Sequence, residues 1–284
     1  MSGFFGLFNY EKEGPGISKN APKKKTFVVF FETFFRNFWK FITINIVYVL
    51  LSLPLITSGL AAVGITNVTR NTARDKHSFG LSDFFETIKK NWKQALVVGI
   101  INNIVTGVLI FDIYFFYAFV EEGIPQTIGL GMVFAIILIF SIMKYYIWTL
   151  LITFKFSIKQ IYLNSFRFVF ANFMKNLGGF LLITLIYAGF IALPFILASI
   201  GVNQIIFISL FLEFALLTMV LPGFKYLLIQ YIVFPPIKKY IIEPYYLEHP
   251  DEDIEKRRDL GLEIPEEESE DLDEDGDEDL VFND

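Results

Sequence analysis

The sequence predicts an all-α fold: a polytopic helical membrane protein of about six transmembrane helices, linked by short interfacial amphipathic helices. Three observations predict it. The chain is 54% hydrophobic and 18% aromatic, with 34 Phe among its 284 residues, which is more apolar than a water-soluble domain tolerates. Long uncharged stretches run between Lys40 and Arg70, Lys93 and Asp112, Glu122 and Lys144, and Lys175 and Glu213. These supply the roughly 20 apolar residues that one bilayer crossing needs. The Lys and Arg residues, finally, fall in clusters that a single face of the membrane can collect.

Taken in order, Lys23, Lys24 and Lys25 hold the N-terminus on the cytoplasmic side, and the first span covers about 34–56. Further spans lie at about 95–119, 127–150, 178–200 and 204–225. Five crossings alone would strand either Lys89, Lys90 and Lys93 or Lys155, Lys159, Arg167 and Lys175 outside. A sixth at 57–75, after Pro54, removes the conflict. Its apolar part, Gly59 to Ile65, is short, so Arg70 and Arg74 have to snorkel to the inner surface. A re-entrant hairpin is the competing arrangement. Only the loops at Thr57, Glu121-Glu122 and Gly201-Val202-Asn203 then face outward.

The organisation is therefore a cytoplasmic N-terminal segment (1–26), a six-span membrane domain (27–240) and an acidic, disordered cytoplasmic tail (241–284). From Glu248 to Asp284 there are 19 acids and 3 bases, whereas the preceding residues hold 21 bases and 11 acids. The formal net charge of −6 thus averages a basic membrane body with an acidic tail too poor in apolar residues to build a core. The first 25 residues carry charge and no continuous apolar run, so no cleavable signal peptide is expected.

An internal repeat supports this layout. Glu32-Thr33-Phe34-Phe35-Arg36-Asn37-Phe38 aligns with Glu86-Thr87-Ile88-Lys89-Lys90-Asn91-Trp92, and Asn172 to Leu177 repeats the basic-Asn-apolar centre. Each copy precedes a span and reads as an interfacial stub, with aromatics among the headgroups and Lys or Arg at lipid phosphate. Three stub-plus-hairpin units result.

Several segments in fixed order carry a resemblance: Gly3 to Gly16, Phe35-Arg36-Asn37-Phe38-Trp39-Lys40, Leu51 to Gly59, Asp83-Phe84-Phe85 and Phe111 to Phe115. With these the chain, over about 4–240, resembles the YesL family of bacterial integral membrane proteins, a domain of unknown function. Members are commonly encoded beside carbohydrate ABC-transporter components, so the resemblance implies a role in or near sugar uptake and, as partners, ABC permease subunits. It supplies no catalytic residues, and the acidic tail is an addition to the family pattern.

Polar groups inside the spans are the candidate site residues. Asp112 and Glu213 are the acids there, and a carboxylate in hydrocarbon turns to the bundle interior and finds a partner. Either is a proton or cation site or a substrate contact, or else a helix–helix hydrogen bond; the depth of Glu213 favours the functional reading. Asn102 and Asn103 read as interhelical glue. His77 and His249 lack a second ligand at metal spacing and read as surface residues. There is no Cys, which excludes disulfides, thiolate nucleophiles and zinc-thiolate sites. No Walker, GxSxG or His-Glu-x-x-His pattern occurs. The expectation is a non-enzymatic protein of the cell membrane, without cofactor, metal or nucleic-acid partner, its lateral partner being the lipid bilayer. It is accessory to a carbohydrate ABC importer or, alternatively, a small transporter or channel itself.

Reporter fusions after Lys25 and after Lys239 are expected to read as cytoplasmic, and one after Glu122 as external. An external reading at either of the first two overturns the orientation.

Overall fold

The computed structural model of the chain describes residues 26–76, 78–199 and 203–249. Among them the chain is all helix. Its helices are α1 (Thr26–Arg36), α2 (Phe38–Ser52), α3 (Ser58–Ala73), α4 (Leu81–Phe119), α5 (Ile124–Thr153), α6 (Ile158–Ala171), α7 (Phe173–Ser199), α8 (Asn203–Met219), α9 (Leu221–Ile237) and α10 (Glu243–Glu248). Helices α4, α5 and α7 are each long and apolar enough to cross a membrane. The pairs α1–α2 and α8–α9 also pass when each is counted as one bent segment, with bends of 75° and 43°. The all-α, multi-pass architecture is therefore present, and the three expected hairpins pair α2 with α3, α4 with α5, and α7 with α8.

The stubs share local chemistry. The Asn37 side-chain amide donates to the Thr33 carbonyl at 2.9 Å, and Asn91 donates to Thr87 at 3.0 Å, the same bond in two copies of the repeat. The consequence differs between them. At Asn37 the helix turns sharply, and Arg36 reaches Asp75 at the end of α3. At Asn91 the helix runs straight on, so stub and span fuse into the 39 residues of α4. The fused stub is solvated: Lys90 bonds Glu86 one turn back at 2.7 Å and holds its carboxyl below the usual range. The third copy, Asn172 to Leu177, falls where the chain breaks between α6 and α7, and its Asn176 amide donates across that break to the Phe168 and Val169 carbonyls at 2.9 and 3.1 Å.

The expected sixth crossing, 57–75, differs most from its prediction. Helix α3 has 16 residues, ten of them buried, and it packs against α4, α9, α2 and α5 in the middle of the bundle. Two glycines make this fit. A Cβ on Gly59 would fall 2.2 Å from the Ala95 carbonyl and 2.8 Å from the Gly99 Cα, so the α3 and α4 backbones touch. The tip of the α2–α3 hairpin meets α4 at Asn103, whose amide donates to the Leu55 carbonyl at 2.6 Å and to Ser58 Oγ at 2.9 Å. Beyond Asn103, α4 continues for sixteen residues, about 24 Å of helix. The hairpin thus stops well short of the far end of α4. This geometry fits the re-entrant alternative; by length and composition three helices, or five with the bent pairs counted as spans, can cross. A re-entrant hairpin and a pair of crossings both return the chain to the same side, so the charge clusters alone could not separate them.

The last expected span, 204–225, is broken at Val220. Pro222 has no N–H to offer the carbonyl four residues back, and the helix bends there. Asn45, fully buried on α2, caps the exposed end by donating to the Met219 and Val220 carbonyls at 2.7 and 3.2 Å. Gly223 leaves room for that amide, since a Cβ there would lie 3.0 Å from Asn45 Oδ1. After α9 the chain stays helical through Glu248, with Ile242 and Tyr246 packed into the core beside Ile237 and Phe168. The expected tail boundary at 241 is corrected accordingly: the apolar and aromatic residues of 241–246 bind that stretch to the membrane body. Residues 1–25 and 250–284 lie outside the described part.

Because the chain has no Cys, Ile56→Cys and Glu121→Cys each introduce a lone thiol. In unsealed membranes a lipid-insoluble maleimide is expected to label position 121 and to leave position 56 unlabelled. Equal labelling restores two full crossings for 34–75.

Candidate functional site

Each helix around the bundle centre is apolar except for one narrow stripe. On α4 the stripe is Gly99, Asn102, Asn103 and Thr106; on α5 it is Ser141, Lys144, Tyr145 and Trp148. Both follow the spacing i, i+3, i+4, i+7, which places four side chains on one helix face. On α7, Phe180, Ile183 and Thr184 repeat the start of the pattern, and on α9 Lys225, Tyr226 and Ile229 face the same way. Tyr48 of α2, with Ser58 and Ala62 of α3, completes the wall. These stripes line a partly open cavity of about 350 Å3, at the small end of the range for ligand pockets. Its lining falls at 99–106 of α4, 141–148 of α5 and 180–184 of α7, within the apolar parts of the three helices long enough to cross a membrane.

Its chemistry is set by two lysines. Lys144 Nζ donates to Thr106 Oγ1 at 3.3 Å and stands 5.1 Å from the Phe140 ring. Lys225 Nζ stands 5.4 Å from the Tyr226 ring and 6.0 Å from that of Tyr187. Among the described residues neither has a carboxylate partner. The two ammonium groups also act on one another across the cavity. Aromatic faces offset part of the cost of holding cations there.

Asn102 is buried on the same wall. Its Oδ1 accepts from the Tyr162 hydroxyl at 2.8 Å, while its Nδ2 is buried without a partner. Below, Gln230 Nε2 donates to Thr149 Oγ1 at 3.2 Å and ties α9 to α5. Tyr48 and Tyr226 meet edge to face, with centroids 5.5 Å apart.

The four expected site residues separate into two pairs. Asn102 and Asn103 both line the cavity, and both also bond between elements, Asn102 to α6 and Asn103 to the hairpin tip. Asp112 is half-buried farther along α4, and Glu213 is on α8; neither is among the lining residues. Glu213 is nonetheless 6% exposed, and its Oε1 has no hydrogen-bond partner. Lys144 and Lys225 were missed because only acids were weighed inside the spans. A Lys within an apolar run costs as much as a carboxylate, and Lys144 within 127–150 carried that signal. His249 is exposed and stacks on Tyr245, His77 lies outside the described residues, and no group of metal-ligating side chains occurs among the described residues.

Replacing Glu213 by Gln keeps the shape and removes a buried charge without a hydrogen-bond partner. The variant is expected to melt in detergent at the same temperature as the parent or higher. A lower melting temperature means that the carboxylate makes a stabilising contact.

Residues 41–113 match the family model described as "Protein of unknown function, DUF624". The match covers about a quarter of the chain, from α2 into α4, and so includes the hairpin and the α4 stripe. The YesL proteins are a family of this type, and the resemblance read from the residues holds for this part of the chain. No curated protein and no solved structure matches the chain.

Proposed function

We propose that this multi-pass membrane protein is a non-enzymatic solute-binding protein whose central cavity holds a small polar ligand within the bilayer during uptake. The cavity carries this reading. Hydroxyls and amides from four helices converge on it, with Tyr48, Tyr145, Trp148 and Tyr226 supplying flat apolar faces. An isolated polar side chain in a span is glue between two helices; matched polar stripes around one void are the arrangement of a binding site.

The orientation that goes with it places both termini and every basic cluster in the cytoplasm of a plasma-membrane protein. The hairpin then enters from that side.

The resemblance adds a second reading, a component that docks on the permease of a carbohydrate ABC importer. One observation favours it. Helix α7 buries only Asn176, Gly179 and Ile183 and leaves Leu185, Ile191 and Phe195 exposed along its length, a flank open to lipid or to a neighbouring subunit.

Flux of labelled monosaccharides, neutral and phosphorylated, into liposomes containing the purified protein tests the first reading. Ser141→Phe fills the cavity with an apolar ring and is expected to abolish flux while the melting temperature holds. Unchanged flux in this variant removes the cavity from the mechanism. Capture of permease subunits from mild detergent, unaffected by Ser141→Phe, supports docking instead.

A further inference from the structure

The lining of the cavity is unbalanced. Its residues offer hydrogen-bond donors from two ammonium groups, three tyrosines, a tryptophan, four hydroxyl side chains and two amides, and they include no Asp or Glu. Lys144 is satisfied only by a neutral hydroxyl at 3.3 Å, and Lys225 only by aromatic rings. Asn102, 4% exposed, keeps both hydrogens of its Nδ2 unpartnered on the same wall. Each feature is costly in an empty site. An ammonium at membrane depth calls for a counter-charge, and two sharing one void repel each other. A neutral polyol could pair with the hydroxyls and amide oxygens of this wall, which accept as well as donate, but it would leave both ammonium charges without a counter-charge. All these demands are met together by one acceptor-only group of negative charge.

We infer that the cavity is a site for a small organic anion, whose carboxylate or phosphate is held between Lys144 and Lys225 with Asn102 Nδ2 as a third donor, and whose remainder packs on Trp148 and Tyr226. This rests on the reading that the cavity binds solute, and it fixes the charge of that solute. The same chemistry is available from the headgroup of an anionic lipid entering between helices.

Four probes of graded charge test it on the full chain in phosphatidylcholine nanodiscs: glucose, gluconate, glucose 6-phosphate and inorganic phosphate. Calorimetric binding is expected for the three anions and to be at least tenfold weaker for glucose. Lys144→Gln and Lys225→Gln are each expected to weaken anion binding about tenfold or more, the scale of a lost charge-assisted hydrogen bond. The double variant should abolish binding, and Lys175→Gln, exposed at the start of α7, should change nothing. Without ligand, the two cavity variants are expected to melt at the parent temperature or above, because an unpaired charge has gone; a lysine that merely braced the helices would lower it. Nanodiscs of phosphatidylglycerol separate the two sources. A headgroup occupant raises the melting temperature with no solute added, only while both lysines are present, and blocks the soluble anions. Binding of glucose as tight as that of the anions, and indifferent to the Gln variants, overturns the inference and leaves solute binding standing. Binding of none of the four probes, with no lipid effect, overturns both.

Discussion

The contact between Gly59 and Gly99 is the constraint on which the rest of the bundle depends. Two helix backbones can approach to van der Waals distance only where neither carries a side chain, and here that approach admits a third body between α4, α5 and α9. A helix as polar as α3, which contains Asn67, Arg70, Asn71 and several threonines, has no reason to face lipid. Seated centrally, it bonds its threonines internally: Thr66, Thr69 and Thr72 return their hydroxyls to carbonyls one turn back, while Arg70 Nε is left buried without a partner. Arg70 reaches Thr153 at 2.8 Å and Asn67 at 2.8 Å.

The same economy governs the hairpin tip. Pro54 ends α2 and leaves carbonyls that water cannot reach at this depth. Thr57 Oγ1 bonds Leu51, Ser58 Oγ bonds Leu55, and Asn103 closes the set from α4. Every donor used is a short side chain within six residues of the break or directly across from it. The exposed groups at the tip are Leu53, Leu55 and Ile56, which suit hydrocarbon. A turn with capped carbonyls and an apolar rim can rest inside a bilayer.

Much of this was legible in the residues. Uncharged runs located α5, α7 and the C-terminal end of α4 closely, because lipid imposes one strict length rule on any helix that crosses it. The start of α4 at Leu81 lies well before the expected 95, because the stub is fused to it. The first two copies of the repeat, at Glu32 and Glu86, share one bond in the structure, from an Asn side-chain amide to a Thr carbonyl one turn back. Asn102 and Asn103 stood out as amides in an apolar run, and both reached the cavity wall. What escaped is what lipid does not dictate. The depth of the 57–75 segment follows from two glycines meeting across forty residues, a coincidence no local pattern announces. The cavity escaped for a similar reason: each stripe is a minority face of its helix, and only the packing of six helices brings the lining residues to one point.

The asymmetry of the hairpin has a consequence for traffic. Toward the N-terminal end of α4, the space beside the cavity is filled by α3 and its buried residues from Val63 to Thr72. Toward the far end, α3 is absent, because the chain has already turned back at Thr57. A ligand leaving toward the N-terminal end of α4 must first unseat a helix held by a backbone-to-backbone seam, whereas no such helix stands on the other side.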